Sequence, residues 1–136
     1  MAKHAGENIK KSVLELGGND PFILFDDANL EDAVQQCIKS RLLNSGQVCV
    51  AAKRIILHNS VADSFEKLLL KSLEEISIGS PYLEETRVST LARLDVKENI
   101  QSQVNQSLSQ GAVSIFQSNF KYDKGFFFPI TVLKNV

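Results

Sequence analysis

A thiol and a carboxylate, each next to glycines, are the side chains of this sequence best suited to chemistry. Glu15 lies in the segment LELGG at 14–18, and Cys49 closes the segment GQVC at 46–49. A thiolate can add to a carbonyl carbon, and a carboxylate can deprotonate the water that later frees the acyl group from sulfur. By residue type alone, however, most cysteines are inert and most glutamates are merely solvated. The two residues are therefore candidates only if their surroundings support that chemistry.

Two other reactive side chains have simpler interpretations. Cys37 lies between Val34 and Ile38 on an apolar helical stripe, which predicts packing in the core. His58 and Cys49 together would suggest a Cys/His hydrolase, but no Asn or Asp stands in a recognisable pattern to orient the imidazole. Met1 and the two histidines show no metal-ligand spacing. We therefore predict no metal site.

Composition favours one domain that acts on small molecules. The 136 residues, 43% of them hydrophobic, suit a single domain over 1–136 with an ordinary core. Fifteen basic and sixteen acidic residues are interspersed, for a net charge of −1, so neither nucleic acid nor a membrane surface is an expected partner. No apolar run approaches the roughly 20 residues of a membrane span, and the first residues lack a signal-peptide pattern. We expect a cytoplasmic location with free thiols.

The first half of the chain predicts alternating strands and helices. Apolar runs at 12–16 and 21–25 predict two strands separated by a turn, so Glu15 is expected at a strand end. An apolar stripe with a 3.6-residue period predicts a helix from Leu30 to about residue 44. Asn29 is expected to cap its start, with Asp32 as the capping partner three residues later. Residues 54–58 predict a buried strand. The next helix is expected to open at Ser60, with the stripe Val61, Phe65, Leu68, Leu69, Leu73 and Ile76.

The second half predicts one polar helix and two further strands. Asp95 and Glu98 form a capping pair for a helix with a narrow apolar stripe, which indicates packing at an edge. Residues 112–116 and 130–133 predict strands. The alternation of strands and helices predicts an α/β fold of three layers with a mainly parallel sheet.

Five ordered blocks resemble the catalytic domain of the aldehyde dehydrogenase superfamily, and together they cover essentially the whole chain. They are residues 11–21, 26–30, 44–49, 52–54 and 131–136. Within that superfamily, the segments LARLD at 91–95 and VCVAAKR at 48–54 look most like the NAD(P)-dependent succinate-semialdehyde dehydrogenases. The resemblance implies an α/β catalytic domain that oxidises a small aldehyde to an acid, with NAD or NADP as cofactor in the intact enzyme.

The resemblance also implies a role for each site residue. Cys49 is the nucleophile that forms the thioester, and its own backbone N–H supplies half of the oxyanion hole. We expect Cys49 at the start of a helix, where the helix dipole would stabilise a thiolate. Glu15 is the base that deprotonates the hydrolytic water, and a partly buried carboxylate with a raised pKa would suit that role. Leu16 and Gly17 are the cofactor-binding positions beside the nicotinamide ring.

Several parts of the family pattern are missing from these 136 residues. Family members carry a coenzyme-binding domain before the Glu motif, a side-chain Asn that completes the oxyanion hole, and a closing segment used for pairing subunits into homo-oligomers. The sequence has no Gly-x-Gly-x-x-Gly pattern to replace that nucleotide site. We therefore expect a folded catalytic-domain fragment that binds no cofactor and does not turn over alone. Leu43 also stands where some succinate-semialdehyde dehydrogenases place the Arg that clamps the substrate carboxylate.

An alternative of a different class is a non-catalytic remnant. Such a chain would persist as a binding or assembly module and pair with intact subunits of related sequence. The two hypotheses differ in the chemistry of Cys49, because only the catalytic one requires its thiol to react in preference to that of Cys37.

Overall fold

Four α-helices and four short strands make up the computed structural model, which describes residues 1–136. No helix is both long enough and apolar enough to cross a membrane. The elements in chain order are α1 (Ala2–Glu7), β1 (Pro21–Leu24), α2 (Leu30–Leu42), β2 (Arg54–Leu57), α3 (Asn59–Glu74), α4 (Leu94–Ser109), β3 (Val113–Gln117) and β4 (Thr131–Lys134).

The strands β1 and β2 form a parallel pair joined through α2. Their register runs from Pro21 opposite Arg54 to Leu24 opposite Leu57. Parallel neighbours need a long crossover, which α2 provides here as a β-α-β unit. The pair thus fixes where the segment before β1 and the segment before β2 run, and these segments carry Glu15 and Cys49.

The core lies between one face of this strand pair and the helices α2 and α3. Phe22 of β1 packs against Phe65 of α3, with ring centroids 6.4 Å apart. Both helical stripes of the prediction are confirmed, because the buried residues of α2 and α3 fall on them. The ten buried core residues are Leu24, Ala33, Val34, Cys37, Ile38, Phe65, Leu69, Leu73, Val88 and Ile130.

The opposite face of the same strand pair has no cover. Ile23 and Ile56 are register partners, yet they remain 55% and 48% exposed, and Phe25 just beyond β1 is 66% exposed. Side chains alternate between the two faces of a strand, so these residues point away from the core. Parallel sheets are normally covered on both faces. The outer face of β1 and β2 is therefore an apolar surface without a partner in this chain.

The second strand pair is antiparallel. Val113 of β3 lies opposite Lys134 of β4, and the register shifts between Ser114 and Phe116. The helix α4 contains no buried residue, as its narrow apolar stripe predicted. The predicted α/β fold is thus confirmed by the alternation of elements and by the parallel pair β1 and β2, while β3 and β4 form a separate antiparallel pair.

The prediction of a strand at 12–16 is wrong. Residues 11–20 form no regular element, all of them are exposed, and residues 11–18 make no backbone–backbone hydrogen bond. A strand exists only when a neighbour accepts its ladder of hydrogen bonds, and this chain offers none beside that segment. Glu15 therefore lies in an exposed segment without regular structure instead of at a strand end, and it is not partly buried as expected.

Helix caps were predicted with mixed success. The side chain of Asn29 accepts a hydrogen bond from the N–H of Asp32 at 3.1 Å, as the pattern before α2 indicated. At α3, the cap is His58 instead of Ser60: its Nδ1 accepts from the N–H of Ser60 at 3.4 Å. A histidine ring can fill the acceptor role that short polar side chains usually take.

At α4, the predicted capping pair does not form. The helix begins at Leu94, and the preceding residue, Arg93, makes no side-chain cap. The carboxylate of Asp95 instead accepts two hydrogen bonds from the guanidinium of Arg93, at 2.7 and 2.8 Å. The Asp95 carboxylate, which the pattern predicted to cap α4, thus forms a bidentate ion pair with Arg93 instead.

Replacing the cap of α2 should weaken the fold measurably. Asn29→Ala removes the acceptor for the N–H of Asp32, and we expect the free energy of unfolding to fall by about 1 kcal/mol. Asn29→Asp keeps an acceptor and should retain most of the stability. Urea denaturation followed by circular dichroism measures both. The matched control is Asn99→Ala on α4, where the side chain makes no hydrogen bond; an equal loss there would contradict the capping role.

Candidate active site

Cys49 lies on an exposed loop between α2 and β2. The helix α2 ends at Leu42, a 3-10 turn spans Leu43–Gly46, and Cys49 then sits in a turn closed by the N–H of Ala51 and the carbonyl of Val48 at 3.2 Å. The prediction that Cys49 starts a helix is wrong. Ala51 and Ala52 after the turn are buried, and the chain then enters β2. Stabilisation of a thiolate by a helix dipole therefore does not apply to Cys49.

The backbone N–H of Cys49 is free. It donates to no acceptor within the protein, and the residue is exposed. An unpaired N–H next to a nucleophilic sulfur is the kind of donor that stabilises the oxyanion formed when sulfur adds to a carbonyl. The loop thus presents a thiol and a hydrogen-bond donor from the same residue.

The segment that carries Glu15 runs directly beside this loop. A Cβ atom built on Gly18 would lie 2.9 Å from the carbonyl oxygen of Cys49, which is closer than real Cβ contacts allow. Three residues span at most about 11 Å, so the Cα of Glu15 lies no farther than that from the Cα of Gly18. The two motifs therefore meet at one edge of the molecule. The carboxylate of Glu15 has no hydrogen-bond or ion-pair partner.

Contacts beyond the ends of β1 and β2 keep the two segments together. The N–H of Lys53 donates to the carbonyl of Asp20 at 3.1 Å, and the guanidinium of Arg54 donates to the carbonyl of Asn19 at 3.0 Å. Lys53 also places its ammonium 3.5 Å from the carbonyl of Cys49. The parallel pairing thus continues toward the site at the amino ends of both strands.

The predicted cofactor-binding positions are open. The side chain of Leu16 is 73% exposed, and a Cβ built on Gly17 would meet no atom within 4 Å. An exposed apolar side chain next to a glycine in open space leaves room for a flat ring to lie against the backbone. Of the two glycines in the motif, it is Gly18 that has a close protein neighbour. The assignment of Leu16 and Gly17 to a cofactor stays a prediction.

Cys37 is a core residue, as predicted. It is 1% exposed, and burial raises the pKa of its thiol to about 11, an effect that the nearby Arg41 guanidinium partly offsets. A buried neutral thiol is a poor nucleophile. The chain therefore holds one exposed and one protected cysteine.

The arrangement disfavours a Cys/His hydrolase. His58 follows the last residue of β2, whereas Cys49 precedes the first, so the strand separates them by roughly 10 Å or more. Its ring is also engaged at the start of α3, where Nδ1 lies 2.8 Å from the hydroxyl of Ser60. His58 thus acts as the N-cap of α3. No group of three or more His, Cys, Asp or Glu side chains is arranged to bind a metal.

The turn before Cys49 has an unusual backbone. Asn44, Ser45 and Gly46 all adopt positive φ, at 50°, 56° and 77°. Arg41 packs under this turn and donates from Nη1 to the carbonyl of Gly46 at 3.3 Å. Sequence reasoning missed Arg41, and the only signal for it was its position in the last turn of α2. Left-handed residues other than glycine are costly, so contacts of this kind are needed to hold the turn.

Gly46 should not tolerate a side chain. A Cβ there would lie 2.3 Å from Nη1 and 3.1 Å from the carbonyl oxygen of Arg41, in addition to the strain of a positive φ. We expect Gly46→Ala to lower the free energy of unfolding by roughly 1–2 kcal/mol. Thermal and urea denaturation measure the change. The control Gly6→Ala, where a Cβ meets nothing within 4 Å, should show no loss; similar losses in both variants would refute the strain argument.

The two cysteines should differ sharply toward iodoacetamide. With a pKa of about 11, Cys37 is only about 0.1% thiolate at pH 8, and its burial also blocks the reagent. We expect native protein at pH 8 to be labelled at Cys49 alone. Labelling of Cys37 should rise only as the pH nears 11, because a raised pKa delays formation of the thiolate. Peptide mass spectrometry identifies the site, and denatured protein labelled at both cysteines is the control; faster labelling of native Cys37 would contradict the assignment.

Comparison with known proteins identifies the family of the chain. The sequence profile of the Aldehyde dehydrogenase family matches residues 1–136. The succinate semialdehyde dehydrogenase [NAD(P)+] Sad of Escherichia coli strain K12 is 40% identical over all 136 residues. A probable succinate-semialdehyde dehydrogenase [NADP(+)] of Synechocystis is 39% identical over the same span. The chain covers 29% and 30% of the lengths of these two relatives.

Solved structures share the fold. The crystal structure of an NADP-dependent enzyme of E. coli superposes with a TM-score of 0.92 at 32% identity, covering 99% of this chain and 28% of that one. The match of the family profile to every residue, together with this superposition, is decisive for the family. The chain belongs to the aldehyde dehydrogenase family.

Proposed function

We propose that this chain supplies the nucleophile and the general base of an NAD(P)-dependent aldehyde dehydrogenase. Cys49 attacks the aldehyde and carries the acyl group as a thioester, and Glu15 activates the water that releases the acid. The observation that carries the proposal is the approach of Gly18 to the carbonyl of Cys49, which brings the Glu15 segment to the loop that holds the exposed thiol. As a part of such an enzyme, residues 1–136 belong to its catalytic domain.

The loop is suited to the first step, thiol addition. The sulfur of Cys49 forms a bond to the carbonyl carbon while the thiol proton passes to solvent, and the negative charge that develops on oxygen accepts a hydrogen bond from the free N–H of Cys49. Leu16 and Gly17 leave open apolar surface for the nicotinamide end of the cofactor. When bound, NAD(P)+ accepts the hydride that leaves the substrate carbon.

The second step uses the carboxylate of Glu15. It takes a proton from water, the water oxygen attacks the acyl carbon, the bond to sulfur breaks, and the sulfur takes up the proton that Glu15 held. The products are the carboxylic acid and the thiol of Cys49, so the site returns to its starting state. The reach of three residues from Gly18 is compatible with a Glu15 carboxylate that acts at the Cys49 loop.

Succinate semialdehyde is the substrate we propose, on the strength of the two named relatives. Leu43 is an exposed apolar residue and cannot pair with the carboxylate of that substrate. The negative charge of the substrate carboxylate must therefore be paired with a cation elsewhere in a complete enzyme.

A second candidate function is the non-catalytic assembly module. It is favoured by one observation, the uncovered apolar face of β1 and β2 with Ile23, Phe25 and Ile56. Exposed apolar surface of that kind marks a site of contact with further protein. Glu15 and Cys49 distinguish the two candidate functions. Only the catalytic function requires these residues to form and hydrolyse an acyl group on sulfur.

Glu15→Gln should slow the release of an acyl group from Cys49. The chain is first acetylated with p-nitrophenyl acetate, excess reagent is removed, and loss of the acetyl group is followed by mass spectrometry. We expect roughly a 10²-fold slower loss, the low end for general-base catalysis, because residues 11–18 lack backbone hydrogen bonds that would fix the base.

The matched control is Glu84→Gln, an exposed carboxylate on the loop after α3. It should leave the release rate unchanged. Equal rates for Glu15→Gln and the unmodified chain would remove Glu15 from the mechanism. Cys49 that does not accept an acetyl group at all would favour the assembly module instead.

A further inference from the structure

Two hydrogen bonds tie the nucleophile loop to a segment that is remote in sequence. The hydroxyl of Ser45 accepts from the N–H of Ser89 at 2.9 Å, and Oε1 of Gln47 accepts from the N–H of Ala92 at 2.9 Å. These partners are 44 and 45 residues apart in the chain. The loop before Cys49 is thus fixed against the segment that leads into α4.

Gln47 holds the loop from two sides. Its Nε2 donates to the carbonyl of Asn44 at 3.3 Å while its Oε1 binds Ala92, so one side-chain amide bridges the left-handed turn and the remote segment. The backbone N–H of Gln47 also donates to Asn44 at 3.1 Å. Because left-handed Asn44 and Ser45 are strained, the turn keeps its shape only while such contacts persist.

We propose that Gln47 is a positioning residue for Cys49, an inference that rests on the proposed function of Cys49 as nucleophile. Gln47 stands two residues before Cys49 and does not need to touch the substrate. By fixing the turn, it fixes the direction in which the free N–H of Cys49 points relative to the sulfur. Stabilisation of an oxyanion depends steeply on that direction, whereas simple access to the sulfur does not.

Two reactions of the same thiol separate positioning from access. Acylation by p-nitrophenyl acetate passes through a tetrahedral oxyanion: sulfur bonds to the carbonyl carbon, p-nitrophenolate leaves, and the thiol proton goes to solvent. Alkylation by iodoacetamide displaces iodide from a saturated carbon and forms no oxyanion. A residue that orients the N–H of Cys49 should affect the first reaction and leave the second nearly unchanged.

The experiment compares Gln47→Leu and Gln47→Glu with the unmodified chain. Leu removes both side-chain hydrogen bonds, and we expect acylation of Cys49 to slow about tenfold while alkylation stays within about twofold. Glu keeps an acceptor for the N–H of Ala92 but loses the donor to Asn44, so we expect a loss of about threefold. The matched control is Gln103→Leu on α4, an exposed residue without side-chain hydrogen bonds, which should change neither rate.

Each other outcome overturns a specific claim. Unchanged acylation in Gln47→Leu, or equal slowing of both reactions, would refute the positioning role. If circular dichroism shows that Gln47→Leu does not fold, Gln47→Glu decides, and a rate equal to that of the unmodified chain would count against the proposal. If Cys49 of the unmodified chain reacts with the ester no faster than a small free thiol of equal ionisation, the proposed function of Cys49 fails, and the positioning role fails with it.

Discussion

The parallel pairing of β1 and β2 is the constraint on which the candidate site depends. Because the two strands run in the same direction, the segments that precede them arrive at the same edge, and the pairing continues there through the hydrogen bond from Lys53 to the carbonyl of Asp20. The close approach of Gly18 to Cys49 follows from that continuation. Side chains on one face of the pair pack against α2 and α3, which anchors it to the core. Ligands of open parallel sheets usually bind at the carboxyl ends of strands; here the reactive residues collect at the amino ends.

The sequence predicted the features that depend on residues close together in the chain. The stripes of α2 and α3, the Asn29 cap and the burial of Cys37 all follow from periodicity and capping chemistry, and the structure confirms them. The strand at 12–16 failed because a strand depends on a neighbour, which an apolar run cannot reveal. The contacts of Gln47 with Ala92 join residues 45 positions apart, and no periodic signal marks such a pair. The resemblance to a known family is the basis for assigning roles to Cys49 and Glu15, which stay predictions, and the expectation that the thiol starts a helix is wrong.

The uncovered face of β1 and β2 relates the structure to the length of the relatives. A parallel pair with exposed Ile23 and Ile56 is incomplete as a sheet, since such sheets are normally covered on both sides. The relatives named above are matched over less than a third of their length. On the proposed function, in which the chain is part of a longer enzyme, further polypeptide is the expected cover for this face and the expected neighbour of residues 11–18.

The two halves of the proposed chemistry are unequally built into this chain. Thiol addition needs a sulfur and an adjacent donor in fixed relation, and Cys49 supplies both from one loop held by Arg41, Gln47 and the left-handed turn. Hydrolysis needs a carboxylate at a defined distance, but Glu15 lies on a segment without backbone hydrogen bonds. A base that samples many positions spends little time at the reacting water, so its contribution to the rate falls. Acyl transfer to sulfur is therefore the step this chain supports best alone, while release of the acid by Glu15 keeps only the low end of general-base catalysis.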